Sequence, residues 1–151
     1  MKTSTYHLLT LSLALILITP ITAQAFKMVP MSVKVSPSGR GASETFVVDN
    51  NAANPIAVEM KVFIRSMTEA GEDILTESKD DFIIFPEQMV VMPGESQSVR
   101  LRWIGQEPDK ERAYRLVAEQ LPLNLEEEVI DGGRINVVFR YVASVYAPEF
   151  I

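Results

Sequence analysis

At 151 residues, with a net charge of −6 and no cysteine, the chain has the size of one ordinary domain, is acidic and has no disulfide staples. Its 20 acidic against 14 basic residues, with no basic stripe, exclude the usual profile of a nucleic-acid binder. The single histidine is His7, so the body of the chain lacks the common nucleophile–base pairs and the soft metal ligands. No catalytic residue, cofactor or metal is expected, and the chain does not read as an enzyme.

The first 25 residues have the three-part layout of a secretory signal: Lys2, an apolar stretch over 8–18, a breaker at Pro20, and Ala23-Gln24-Ala25 with cleavage before Phe26. The apolar stretch is shorter than the roughly 20 residues a membrane span needs. No later segment is longer, so the expectation is an exported protein without membrane insertion. Export without disulfides suits a bacterial envelope.

Beyond residue 25 no helical period persists. Short β-rich runs alternate with turn residues at roughly 10–15-residue spacing, the pattern of an all-β sandwich. The runs are 28–35, 44–49, 56–66, 82–85 with 89–92, 96–103, 113–121 and 134–146. This predicts a single seven-stranded antiparallel β-sandwich domain over 26–151. Turn signals separate the runs, among them Pro93-Gly94-Glu95 and Asp131-Gly132-Gly133. In Ser98-Val99-Arg100-Leu101-Arg102-Trp103 the arginines face one side and Val99, Leu101 and Trp103 the other, which puts Trp103 in the core or at the sandwich edge. The carboxylates Glu69, Glu72, Asp73, Glu77, Asp80 and Asp81 lack EF-hand spacing and read as a solvated loop.

The last run, 134–147, is apolar on both faces. Ile135, Val137, Phe139 and Tyr141 form one row, and Asn136, Val138, Arg140 and Val142 the other. Such a strand is either buried on both sides or packs on its own domain while serving another chain. The pattern leaves both readings open.

Several stretches resemble the N-terminal domain of periplasmic pilus (fimbrial) chaperones, in branches other than the best-known P-pilus type. They are Phe82-Ile83-Ile84-Phe85-Pro86, Met92-Pro93-Gly94-Glu95-Ser96-Gln97-Ser98-Val99-Arg100-Leu101, Glu111-Arg112-Ala113-Tyr114-Arg115-Leu116, Glu119-Gln120-Leu121-Pro122 and Tyr141-Val142-Ala143-Ser144-Val145-Tyr146-Ala147-Pro148. Their succession covers most of 42–148.

The resemblance implies an immunoglobulin-like fold and a periplasmic chaperone for pilus subunits. Its last strand would be lent to a pilin that lacks one, capping the open edge. Ile135, Val137, Phe139 and Tyr141 are the expected donor row, with the opposite parity, Val138 and Val142, as the alternative. The family also implies basic side chains that hold the subunit's terminal carboxylate. Lys34 aligns with the first-strand position. Ala143 occupies the usual last-strand lysine position, and Arg115 is the expected replacement, with Arg140 a weaker candidate. The implied partners are a pilin and an outer-membrane usher, and a homodimer through the donor strand is a further option. The family has two such domains. Residues 149–151 fall where its linker begins, so a second domain is expected to be absent. The competing reading is a free-standing envelope structural or adhesion module, or a truncated chaperone without function.

Overall fold

The computed structural model describes residues 26–123 and 138–148. Ten strands form two facing sheets. They are β1 (Lys27–Val29), β2 (Ser32–Lys34), β3 (Ser43–Asp49), β4 (Ile56–Met67), β5 (Asp73–Glu77), β6 (Phe82–Phe85), β7 (Gln88–Val91), β8 (Ser96–Trp103), β9 (Arg112–Leu121) and β10 (Arg140–Ala147). One sheet runs β1-β3-β8-β6. The other runs β2-β10-β9-β4-β5, with β7 on the same edge of β4 as β5. This is the all-β sandwich that the strand pattern predicts, in the immunoglobulin-like form that the resemblance implies.

Alternation along the strands builds the core. Val99, Leu101 and Trp103 of β8, Phe46 and Val48 of β3, Val58, Met60 and Val62 of β4, and Tyr114, Leu116 and Ala118 of β9 all point inward. Burying each large apolar side chain stabilises the fold by about 1.5–3 kcal/mol. Trp103 is core, as its strand parity predicts. Its ring meets Phe82 at 5.0 Å and Tyr114 at 5.8 Å in edge-on contacts.

Turn chemistry sets the corners. Met92 to Glu95 closes with Glu95 N–H donating to the Met92 carbonyl, and Gly94 takes the positive φ such a turn requires. Asn50, buried, donates to the carbonyls of Asn54 and Val91 and accepts from Ala52 N–H, so one side chain holds the 50–55 turn.

Four features differ from the sequence reading, and the described residues form ten strands where seven were expected. The run over 82–85 with 89–92 is two strands in different sheets, β6 against β8 and β7 against β4. The single run expected over 28–35 is two short strands in different sheets, β1 against β3 and β2 against β10. Pro30 lies between them and has no N–H to offer a ladder. The β2–β10 pair is parallel, so the sandwich is not wholly antiparallel. Residues 73–77, read as charged loop, form β5, which pairs with β4 from Phe63↔Glu77 to Met67↔Asp73. All five β5 residues are exposed, so no buried face marks the strand in sequence.

Candidate functional site

The last strand carries the site. β10 pairs with β9 along its whole described length, from Arg140↔Glu119 to Ala147↔Arg112. On its other edge β2 covers only Ser144 to Tyr146. From Arg140 to Ala143 that edge has no partner among the described residues.

The hydrogen bonds show which backbone groups face the open edge. The Phe139 carbonyl accepts from Gln120 N–H on the β9 side, whereas Ser144 N–H donates to the Met31 carbonyl on the β2 side. In an antiparallel pair these directions alternate. Arg140 and Val142 therefore turn their N–H and C=O groups away from β9, toward the open edge.

The same parity governs the side chains. Ala143, Val145 and Ala147 are buried, and Phe139 and Tyr141 pack half-buried against the core. Val138 is 54% exposed and Val142 37%. The donor row expected from sequence was Ile135, Val137, Phe139 and Tyr141. Ile135 and Val137 lie outside the described residues. Phe139 and Tyr141 face inward because they share the parity of the buried Ala143–Val145–Ala147 series. The outward apolar positions are those of the alternative parity, Val138 and Val142.

Beside this edge, the outer face of the six-stranded sheet carries the basic candidates. Arg115 of β9 lies opposite Ser144 of β10 and Phe63 of β4. Lys34 of β2 lies opposite Tyr146. The two therefore flank β10 on one face, offset by a single two-residue step of about 6–7 Å along the strand.

Neighbouring cations on this face are neutralised. Lys61 pairs with Glu59 at 2.5 Å, and Arg65 pairs with Asp73 at 2.6 Å. The hydrogen bond to Lys61, seconded by that from Gln88, lowers the Glu59 carboxyl below its ordinary range. The Arg65 guanidinium does the same for Asp73. Lys34, Arg115 and Arg140 have no ion pair among the described residues. Arg115 is half-buried and its Nη1 donates to the Tyr114 carbonyl, which fixes the guanidinium near the sheet.

Two further features escaped the sequence reading. Val117 is buried on this outer face, opposite Val142 and Lys61, so the sheet has an apolar spot beside the open edge. On the other sheet, Phe85 is 75% exposed and Ile83 half so; they lie opposite Arg100 and Arg102 in one outward patch. The signal was present in the alternation of Phe82-Ile83-Ile84-Phe85 against Arg100-Leu101-Arg102. Only the β6–β8 register brings the two runs together.

The fold is thus an immunoglobulin-like sandwich whose last strand is half uncovered among the described residues. Residues 27–149 match the family described as pili and flagellar-assembly chaperone, PapD N-terminal domain, and the chain belongs to that family. Several solved structures share its fold. The CsuC–CsuE chaperone–tip adhesion subunit complex from archaic chaperone-usher Csu pili of Acinetobacter baumannii matches with TM-score 0.65 at 20% identity, over 83% of this chain and 57% of that chain. The class 5 fimbriae chaperone CfaA matches with TM-score 0.65 at 21% identity, over 83% and 57%. The E. coli chaperone DraB matches with TM-score 0.59 at 16% identity, over 83% and 55%. The chain thus spans a little over half the length of these proteins. No curated protein matches it in sequence.

Proposed function

We propose that this chain is a periplasmic chaperone for pilus subunits that acts by donor-strand complementation through β10. One observation carries the reading: from Arg140 to Ala143 the strand has an edge without a partner among the described residues, with Val138 and Val142 exposed. An incoming subunit strand would take main-chain hydrogen bonds from Arg140 and Val142 and bury the two valines in its groove. The same addition would cap the subunit's own unpaired edge, the part most prone to aggregate.

Lys34 and Arg115 suit the second half of the task. A carboxylate at a chain terminus needs a charge-assisted partner once it leaves bulk water. Both side chains flank β10 on the outer face without ion pairs among the described residues, and Arg115 offers a planar fork for bidentate contact. Family membership supports the periplasm as the compartment and an outer-membrane usher as a second partner. Among the described residues no helix is long and apolar enough to cross a membrane. The open edge also suits pairing between two copies of this chain, with the subunit displacing the second copy.

The test is co-expression with a fimbrial pilin in a bacterial periplasm, followed by co-purification. The expected result is a one-to-one complex with the wild-type chain and none with a folded Val142→Asp variant. A folded wild-type chain that captures no pilin, or a Val142→Asp variant that captures as well as wild type, would overturn the assignment.

A further inference from the structure

The two-sided apolar pattern of the last strand leaves its parity only partly set by its own residues, through the Arg140 charge. A one-residue slip in a strand exchanges its faces. Between 138 and 142, Val138 and Val142 are as apolar as Phe139 and Tyr141, and the Arg140 charge between them is what weighs against turning their row inward. Downstream, Ala143, Val145 and Ala147 are buried and β2 holds the outer edge. Upstream of Ser144 the strand has, among the described residues, β9 alone beside it. A local bulge there could turn the valines inward and leave no apolar row for a partner.

Phe26 supplies a further constraint. It precedes β1, a strand of the opposite sheet, yet it is only 1% exposed. Its ring lies 4.7 Å from the ring of Tyr141, tilted by 58°. Tyr141 is in register with Ala118 of β9, whose methyl group leaves room between the sheets. The Phe26 ring belongs to the same buried cluster as Ala118 and Met60 and packs beneath Tyr141 from the far sheet. The contact falls on the stretch of β10 whose outer edge is open.

Resting on the donor-strand reading above, we propose that Phe26 is a positioning residue for the open edge. Its ring receives Tyr141 and thereby sets the parity of Arg140–Ala143. With Tyr141 seated inward, Val138 and Val142 and the free backbone groups of Arg140 and Val142 face a partner strand. A residue just before β1 thus orients a stretch of β10, and the two sheets are tied together beside the edge that lacks a partner among the described residues.

The chain has no cysteine, so single substitutions report the two faces directly. Val142→Cys and Phe139→Cys, each in the wild-type and Phe26→Ala backgrounds, are labelled with a small maleimide. In the wild-type background the 142 position reacts much faster than 139. In the Phe26→Ala background the two rates converge. Backbone amide exchange at Tyr141 rises about tenfold, the scale set by loss of one aromatic contact on a locally opening strand. Exchange at Val99 in the other sheet stays unchanged. Phe26→Leu, which keeps bulk and removes the ring, gives the same selective change and serves if the alanine variant does not fold. Unchanged labelling and exchange, or loosening shared equally by Tyr141 and Val99, would overturn the proposal. None of these readouts needs a pilin, so a failure of subunit capture is told apart from a failure of this inference.

Discussion

The Tyr114 hydroxyl donates to the Asp81 carboxylate at 2.9 Å, joining the two sheets of the sandwich through one hydrogen bond. Tyr114 belongs to β9 and Asp81 immediately precedes β6. Ser78 Oγ donates to the same carboxylate oxygen at 3.0 Å, and the Asp81 carbonyl accepts from Ile104 and Gly105 N–H groups. One residue therefore gathers the β5–β6 connection, the segment after β8 and the start of β9. The rings of Phe82, Trp103 and Tyr114 pack edge-on beside it. This end of the sandwich is anchored, in contrast to the half-open edge of β10.

Removing the hydroxyl tests that anchor. Tyr114→Phe keeps the ring in its aromatic cluster but deletes one donor to Asp81, which retains Ser78. Hydrogen bonds to charged groups contribute about 1.5–3 kcal/mol, so the variant should lose roughly that amount in urea unfolding, with an unchanged m-value. A loss well below 0.5 kcal/mol would mean that water replaces the bond without cost.

The same pair predicts an alkaline limit. Burial, and then the hydrogen bond with Asp81, push the Tyr114 hydroxyl from 10.0 up to about 12. A raised folded pKa favours the neutral phenol in the folded state. Its contribution is fully present below pH 10 and is lost as pH climbs from 10 toward 12. Wild type and Tyr114→Phe should therefore converge in stability across that window. Unfolding curves at pH 8, 10 and 11.5 measure the gap, and a constant gap would contradict this account.

Legibility in the sequence followed burial. β8 and the inward positions of β4 were readable because one face is covered and the other wet, so the alternation is strict. β5 was not, since it is held by pairing to β4 and buries nothing. The split of 28–35 was hidden because a change of sheet is a tertiary event that leaves only Pro30 as a local trace. The candidate site was half legible. The last strand stood out from its residue pattern, whereas Lys34 and Arg115 were pointed to by the family resemblance. The parity of Phe139 and Tyr141 did not, because both rows carry apolar residues and the Phe26–Tyr141 contact joins residues far apart in the sequence.

Arg115 offers a test of the carboxylate-anchor proposal that is separate from the donor strand. With no ion pair among the described residues, its charge contributes little to the fold, so Arg115→Ala should change stability by about 1 kcal/mol or less. Capture of a pilin should fall about tenfold or more, since an anchored carboxylate left without its partner loses a charge-assisted bond. Arg115→Lys should restore only part of that, because an ammonium cannot reproduce the bidentate fork. Lys34→Ala should act in the same direction. Equal capture by all of these variants and wild type, measured by titration of refolding pilin, would remove the anchor role.

The parity of β10 makes the sharpest stability prediction. Val142 and Tyr141 are adjacent, yet one faces solvent on the outer sheet surface and the other packs on Phe26. Val142→Asp places a carboxylate where water can reach it, and its cost should stay near the range of about 0.5 kcal/mol usual for surface changes. Tyr141→Asp removes an aromatic from the core and puts a charge beside Phe26 and Met60, which should cost at least about 3 kcal/mol. Thermal and urea unfolding of the two single variants measure the contrast directly. Were Val142→Asp the more damaging of the two, the valine row would be core, and Phe139 and Tyr141 would return as the face offered to a partner.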